Sequence, residues 1–160
     1  MKVRPASAAD DSALAELDAR AWPRELWVSP PQPADQPFFD DHRKPADVLV
    51  ATADDDTVIG YARLARHLRV EANAHVLHLD AVAVAPESTG QGAGRALIAA
   101  AIAEARLRKA RKLGLRALST NGRAIALYEA AGFVEEGRLR DEIRLPDDSF
   151  ADDVWFALVL

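Results

Sequence analysis

Apolar residues recur along the chain with two different periods, and these periods predict a succession of strands and helices. Runs rich in valine, leucine and isoleucine predict strands at 2–6, 74–84, 115–120, 133–145 and 150–160, and a hairpin over 47–67 around the turn "DDD". Helical spacing of apolar residues predicts helices at 7–22, 94–114 and 121–132. This order of elements is typical of a layered domain of the α/β or α+β class.

The predicted helices begin and end at residues with capping chemistry. Ser7 and Asn121 stand where a side-chain oxygen accepts the first free N–H groups of a helix. Gly114 and Gly132 stand where helices commonly end. The last turns of the helix at 94–114 are basic, which the helix dipole favours, and we interpret this run as a solvated helix end.

Residues 22–46 contain most of the 9 prolines and predict a long irregular segment or a broken helix. Four aromatic residues in it argue against disorder. They are expected to form either the wall of a pocket for an acceptor substrate or a satellite hydrophobic cluster. These residues are Trp22, Trp27, Phe38 and Phe39.

Length and composition restrict the class of protein. The 160 residues are enough for one domain, which we predict across 1–160. The formal charge of −5 argues against a nucleic-acid partner, because such binding needs a basic face. The lack of cysteine excludes disulfides, thiolate metal sites and a cysteine nucleophile. No apolar run reaches membrane-spanning length and no signal-peptide core is visible, so a cytoplasmic protein without a membrane partner is predicted.

The stretch "PESTGQGAGRAL", 86–97, places three of the 8 glycines between a predicted strand and a predicted helix. A helix N-terminus offers free N–H groups and partial positive charge, and glycines let an anion approach them, so the stretch predicts a pyrophosphate site. Arg95 stands where a P-loop needs its second glycine and where a dinucleotide loop needs its third, so both of those readings fail. A tight turn without a ligand is the minority interpretation.

Two motifs together resemble the GNAT superfamily of acyl-CoA-dependent N-acyltransferases. In this family a strand with the approximate sequence Leu-Ala-Val-x-Pro precedes a loop with the motif Arg/Gln-x-x-Gly-x-Gly/Ala. The corresponding segments of this chain are "VAVAP" at 82–86 and "TGQGAG" at 89–94. The departure is Thr89, where the family usually has arginine or glutamine. The second motif, "NGRAIALYEAAGF" at 121–133, follows in the family's order and spacing. The resemblance implies a mixed, mostly antiparallel sheet of about six or seven strands with helices on both faces.

The resemblance also implies acetyl-CoA as cosubstrate, with no metal, and an amine as acceptor. The strand backbone at 82–84 would pair with the pantetheine arm, which would enter where this strand splays from 115–120, and N–H groups from 91 to 96 would hold the pyrophosphate. Arg95 and Arg123 would add positive charge or lie exposed. The implied cofactor-binding residues are Val82, Ala83, Val84, Thr89, Gly90, Gln91, Gly92, Ala93, Gly94, Arg95, Ala96, Asn121, Ala124 and Tyr128.

Acetyl transfer from a thioester to an amine needs a neutral amine, a donor to the oxyanion and an acid for the thiolate. A strand N–H near Val84 is the expected oxyanion donor. The resemblance assigns the acid to Tyr128, and Ala124, one turn earlier, is small enough to leave room for the cofactor. Without the motif, Tyr128 would be read as a core tyrosine.

The sequence determines the identity of the general base less well than that of the acid. Alternation along the strand predicts His78 and Asp80 on one face with Val82 and Val84, and some family members carry a catalytic carboxylate near this position. A histidine is suited to base chemistry and Asp80 would orient it. The alternative is a pair of half-exposed strand residues, with Glu87 as the next candidate base.

Other interpretations stay open at this level. A non-catalytic acyl-CoA sensor on the same fold and a nucleotide-binding regulatory domain are the competing functions; Tyr128 argues against the first and the glycine spacing against the second. Asp40, Asp41 and His42 form a solvated turn or a corner for a metal or an amine. The sequence does not identify the amine, which belongs to a small molecule or a protein, and the oligomeric state is open, a homodimer included.

Overall fold

The computed structural model describes residues 1–26, 28, 30–68 and 70–160, which form seven strands and three α-helices. The strands are β1 (Lys2–Pro5), β2 (Val48–Thr52), β3 (Val58–Ala65), β4 (Val76–Val84), β5 (Lys112–Leu118), β6 (Val134–Arg144) and β7 (Phe150–Val159). The helices are α1 (Asp11–Ala21), α2 (Ala93–Leu107) and α3 (Gly122–Ala130). Trp27, one of the aromatic residues discussed above, lies outside the described residues.

One sheet joins all of these strands in the order β1-β2-β3-β4-β5-β7-β6. Every neighbouring pair is antiparallel except β4 and β5, which run parallel. The prediction of a mixed, mostly antiparallel sheet is therefore confirmed. Between α1 and β2 the described residues form two short 3-10 turns, Arg24–Leu26 and Pro45–Asp47, within an otherwise irregular path.

The sheet is covered on both faces, as predicted. In β2, Leu49 and Ala51 belong to the core cluster that contains residues of α2, whereas Val48 and Val50 belong to the cluster that contains residues of α1. Because successive strand residues point to opposite faces, α1 and α2 lie on opposite sides of the sheet. Apolar residues of α3 pack on the same cluster as α2.

β4 and β5 are paired over only three residues and then separate. Val76–His78 lie opposite Lys112–Gly114, and the rest of β5 is paired with β7. Beyond His78, the described partners of β4 are residues of β3. The parallel pair thus opens toward the C-terminal ends of its strands, which leaves a backbone edge of β4 facing the gap.

The prediction of one helix from 94 to 114 is wrong in its end point. α2 ends at Leu107, because Lys109 has a left-handed backbone with φ of 58° and the chain closes the helix by donating from Lys109 N to Arg106 O and from Ala110 N to Ala105 O. These two bonds are the Schellman termination, with a lysine at the position that glycine usually occupies. Gly114 lies instead inside β5.

Ser7 caps less of α1 than predicted. It precedes a 3-10 turn, Ala8–Asp10, and α1 begins only at Asp11. The Ser7 backbone N–H and hydroxyl both donate to Asp10 Oδ2. Asp10 also receives two hydrogen bonds from Arg4, and the Arg4 bonds are the main reason that the pKa of this carboxyl falls to about 2.

Among the described residues, no helix is both long enough and apolar enough to cross a bilayer.

Candidate active site

A cleft of about 320 Å3 occupies the gap between the separated ends of β4 and β5. Residues from both sides of the sheet line it, so it connects the α2 face with the α1 face. We call it the sheet cleft. Its lining includes Trp22, His67, His78, Asp80, Val82, Arg116, Asn121, Ala124 and Tyr128.

Two glycines shape the turn before α2. The φ angles of Gly90 and Gly92 are 84° and 90°, a left-handed conformation that glycine adopts without strain. Gly92 is also the N-cap of α2. A Cβ added at either position would meet no atom within 4 Å, so the space in front of the α2 N-terminus is open. The predicted role of glycine in letting a ligand approach is consistent with this geometry.

Gly94 has a different structural role, because it allows α2 and α3 to pack closely. A Cβ at Gly94 would lie 3.2 Å from Leu127 Cδ2, so α2 and α3 approach each other through the missing side chain. Thr89, which replaces the family's arginine or glutamine, donates its hydroxyl to Ala85 O at 3.3 Å. This bond closes the turn locally.

The set of available N–H donors is smaller than predicted. Ala96 N donates to Gly92 O at 3.0 Å as the first bond of α2, and Gln91 N donates to Ser88 O at 3.4 Å. The backbone donors that a helix start leaves free are those of its first residues. Gln91 N and Ala96 N therefore already have acceptors in this structure, and the backbone N–H groups of 92–95 remain as candidates for binding an anion.

One face of α3 lines the sheet cleft. Asn121 accepts a hydrogen bond from Ala124 N at 3.2 Å and caps the helix, as predicted. Asn121, Ala124 and Tyr128 all line the cleft, because residues three and four apart share one side of a helix. Ala124 lies one turn before Tyr128, and its small side chain leaves space in the cleft beside this face of the helix.

Tyr128 brings a phenol to the cleft in its protonated form. Burial raises the pKa of Tyr128 to about 12. Its ring packs edge-on against Phe133 with ring centroids 6.2 Å apart. Among the hydrogen bonds of the described residues none involves the Tyr128 hydroxyl, so its proton is not committed to a structural partner.

His78 is half-buried on the opposite side of the sheet from α2. Its ring lies 5.0 Å from the ring of His67 and 6.0 Å from that of Trp155, measured between centroids. Burial, and then the charge of His67, lower the pKa of His78, while the charge of Asp80 acts in the other direction. His78 is thus kept in the neutral form that accepts a proton.

The prediction that His78 and Asp80 share a strand face with Val82 and Val84 is wrong in its second half: His78 and Asp80 both lie on the α1 side of the sheet, whereas Val82 and Val84 face α2. The register between β3 and β4 shifts so that Asp80 is skipped: Arg63 lies opposite Ala81, and the next residue of β3 lies opposite Leu79. Such a bulge reverses the alternation. Val82 and Val84 pack with the α2 cluster, while Asp80 forms an ion pair with Arg63 and lines the cavity on the α1 side.

Gly114 provides the space in which the His78 ring lies. A Cβ at this position would be 2.8 Å from His78 Cε1. We expect Gly114→Ala to destabilise the fold by about 1–3 kcal/mol because of this overlap. We also expect the cost to be smaller when His78 is replaced by alanine, which a double-mutant cycle by urea unfolding would measure. Additive free energies of unfolding would contradict the contact; Gly137→Ala, where a Cβ would meet no atom within 4 Å, is the matched control.

A second cavity, of about 600 Å3, lies on the α1 side and shares Trp22 and Asp80 with the sheet cleft. We call it the α1-side cavity. Buried Asp18 accepts hydrogen bonds in it from the Tyr61 hydroxyl at 2.5 Å and from Trp22 Nε1 at 2.8 Å. Burial, followed by the charge and hydrogen bond of Asp18, raises the pKa of Tyr61 well above its usual value.

The sequence patterns do not predict Asp18, Arg43 or Arg63 as residues of the candidate site. Only Asp18 left a signal: it stands beside Leu17 in the apolar stripe of α1, where a charged residue is unusual. Of the aromatic residues of 22–46, Phe38 is buried in the α1-face cluster and also lines the α1-side cavity. That this cavity takes the acceptor stays a prediction. Trp22 packs against the same cluster and lines both cavities.

The corner at 40–42 is a backbone turn. Asp40 Oδ1 accepts hydrogen bonds from His42 N and Arg43 N at 2.6 and 2.8 Å, and these bonds lower the pKa of its carboxyl. In the described ranges no group of three or more histidine, aspartate or glutamate residues is arranged to hold a metal ion.

Comparison with known proteins identifies relatives over most of the chain. A search of characterised proteins finds 28% identity over 140 residues with the aminoglycoside N(6')-acetyltransferase type 1 of Klebsiella aerogenes, covering 86% of this chain and 92% of the relative. The crystal structure of the ribosomal-protein-alanine N-acetyltransferase from Brucella melitensis superposes with a TM-score of 0.82 at 27% identity and covers 100% of both chains. A phosphinothricin acetyltransferase from Sinorhizobium meliloti in complex with AcCoA has a TM-score of 0.83 at 19% identity, covers 99% of this chain and 88% of its own, and shares the fold.

The family model described as the acetyltransferase (GNAT) family matches residues 12–133, which is most of the chain. That range includes the glycine turn before α2, the open edge of β4 and the face of α3 that carries Tyr128. The chain therefore belongs to the GNAT family and is an N-acetyltransferase that uses acetyl-CoA as its cosubstrate.

Proposed function

We propose that the acetyl group passes from acetyl-CoA to a primary amine inside the sheet cleft, with Tyr128 as the acid and His78 as the base. The observation that carries this proposal is the separation of β4 from β5 beside Tyr128. The gap connects the α2 face, where the cofactor motifs lie, with the α1 face, where His78 and the α1-side cavity lie. A thioester entering from one face can therefore meet an amine entering from the other.

The glycine turn and the open edge of β4 are the proposed cofactor site. Free N–H groups at 92–95 would hold the pyrophosphate at the positive end of α2, and the backbone at 82–84 would pair with the pantetheine arm. Arg95 and Arg123 are both exposed and would act only through their charge. Thr89, Gln91 and Ala96 support the turn and the first bond of α2. Asn121 and Ala124 line the sheet cleft and would form the wall beside the thioester.

The reaction needs two proton transfers at different atoms. The lone pair of the neutral amine attacks the thioester carbon, and a β4 N–H near Val84 donates to the oxyanion that forms. His78 takes the proton that the nitrogen loses. When the carbon–sulfur bond breaks, Tyr128 gives its proton to the sulfur, so that the products are the amide and free CoA. Asp80 contributes charge near His78 while remaining paired with Arg63.

We expect the pH profile to report His78. Because burial lowers its pKa from the usual 6.5, kcat/KM should rise with an acid limb whose apparent pKa lies below 6.5. His78→Ala should remove the limb and lower kcat/KM about 100-fold near neutral pH, with a smaller loss at high pH where more amine is neutral. His75→Ala, which removes an exposed histidine one residue before β4, is the control. A wild-type pH profile in His78→Ala would show that another group is the general base. Glu87 is the next candidate, although both of its carboxylate oxygens accept hydrogen bonds from Arg20.

Release of free thiol from acetyl-CoA in the presence of an amine panel tests the proposed function. The panel should contain an aminoglycoside, a peptide with N-terminal alanine and simple primary amines, because the relatives act on small-molecule and protein amines. At least one class should raise thiol release well above hydrolysis. Tight acetyl-CoA binding with no accelerated release in any class would favour the non-catalytic sensor instead. A cytoplasmic location, a single domain over 1–160 and a homodimer stay predictions.

A further inference from the structure

The α1-side cavity contains a largely buried guanidinium that is not hydrogen-bonded to any acceptor in the described chain. The side chain of Arg43 is 21% exposed and its guanidinium lies 4.4 Å over the ring of Phe38. Its Nη1 is 3.9 Å from Asp18 Oδ2, which is too long for a hydrogen bond, and its Nε is buried without a partner among the described residues. A guanidinium has five N–H donors and keeps its charge, so Arg43 retains unused donor capacity.

A second guanidinium lines the same cavity. Arg63 lines the cavity and forms its ion pair with Asp80, but its Nε is also buried without a partner in the described residues. Burial and Asp18 raise the pKa of the Tyr61 hydroxyl, whereas the charges of Arg43 and Arg63 both lower it. Arg43, Arg63 and Tyr61 all line this cavity, and Arg43 Nη1 lies 3.9 Å from Asp18, which accepts a hydrogen bond from the Tyr61 hydroxyl.

The carboxylates of the same cavity already accept hydrogen bonds. Asp18 accepts from Tyr61 and Trp22, Asp40 accepts from two backbone N–H groups, and Asp80 accepts from Arg63. The lining has three carboxylates against two guanidiniums, so a count of charge alone would favour a cation. Among the buried side-chain atoms of the described residues, the two that lack a hydrogen-bond partner are both guanidinium donors, which favours an anion.

We propose that the acceptor carries a carboxylate beside its amine and that Arg43, flanked by Arg63, binds this carboxylate in the α1-side cavity. The inference rests on the proposed function and names its substrate class. Trp22 and Asp80 line both cavities, so the carboxylate can lie at Arg43 while the amine reaches the sheet cleft. Arginine pairs with a carboxylate through two parallel hydrogen bonds, which makes Arg43 the specificity-determining residue. A polycation would leave the same guanidinium buried against positive charge.

Matched acceptors test the inference. Each α-amino acid of a panel is compared with the amine that lacks only its carboxylate, and kcat/KM is corrected for the fraction of neutral amine. Wild type should prefer the carboxylate-bearing member by about 10- to 100-fold. Arg43→Gln should reduce this preference to near one, mainly through the acceptor KM, while the KM for acetyl-CoA is unchanged. Arg43→Lys should retain part of the preference, and Arg144→Gln, an exposed arginine paired with Asp148, should retain all of it.

Calorimetric binding of the same pairs to the CoA-bound protein gives a readout that does not need turnover. Tighter binding of the carboxylate-bearing member, lost in Arg43→Gln and partly kept in Arg43→Lys, supports the inference. Equal binding of the two members, preference for spermidine, or a preference that survives in Arg43→Gln would overturn it. Turnover of amines without carboxylate preference would overturn the inference and leave the proposed function intact. Carboxylate-selective binding without turnover of any acceptor would contradict the proposed function alone.

Discussion

Replacing Tyr128 by phenylalanine should lower kcat by ~10²–10⁴-fold and leave the KM for acetyl-CoA nearly unchanged. The hydroxyl is needed only when the thiolate forms, so its loss affects the transition state and not the bound cosubstrate. Burial raises the pKa of Tyr128 to about 12, so the phenol is protonated at every pH at which the enzyme would be assayed. Pre-steady-state thiol release would measure the chemical step directly.

The stability of the same variant separates an acid from a structural tyrosine. The hydroxyl has no hydrogen-bond partner in the described residues, whereas the ring contact with Phe133 is retained in phenylalanine. Since the hydroxyl makes no hydrogen bond to a described residue, its removal breaks no protein contact, and we expect a nearly unchanged melting temperature. A lower melting temperature with unchanged kcat would show that Tyr128 is a core residue and that the acid is elsewhere.

Replacing Gly92 by valine should weaken CoA and acetyl-CoA binding by at least about 100-fold, which would abolish the stabilisation of about 2.7 kcal/mol that ligand gives at a hundredfold excess over Kd. The new side chain would project into the open space before the α2 N-terminus. It would also strain a backbone whose φ is 90°, at a cost of about 1–2 kcal/mol to the free protein. Thermal shift with CoA, acetyl-CoA and ATP measures both effects.

The control for this variant is Gly137→Ala. Gly137 lies in β6, and a Cβ there also meets no atom within 4 Å, so the control adds a side chain at an open position away from the turn. It should keep the full thermal shift with both CoA ligands. A shift that persists in Gly92→Val, or a wild-type shift with ATP and none with CoA, would remove the glycine turn as the pyrophosphate site.

The parts of the site that sequence could predict are those controlled by neighbouring residues. The left-handed turn at Gly90 and Gly92 follows from the low steric cost of glycine there, and Asn121 caps α3 through a bond to a residue three positions away. The common face of Ala124 and Tyr128 follows from helical periodicity alone. These features need no information about the rest of the fold.

The failed predictions involve residues whose roles depend on distant partners. The local pattern predicts a helix stop at Gly114, because glycine usually ends helices, yet Lys109 closes α2 and Gly114 makes room for the His78 ring on the neighbouring strand. Simple alternation predicts Asp80 on the face of Val82, yet pairing with β3 creates a bulge that the pattern of one strand does not contain. Neither contact has a signature within a few residues of the position.

The sequence by itself determined the order of strands and helices, the glycine turn, the cap and tyrosine face of α3, and the membership of a cofactor-binding family, because each of these follows from local sterics, periodicity or motif spacing. The tertiary structure alone decided where β4 leaves β5, which side of the sheet each polar strand residue faces, and that Asp18, Tyr61, Arg43 and Arg63 meet in one cavity. The physical reason is that strand register, bulges and the burial of charge are set by pairing between segments far apart in the chain.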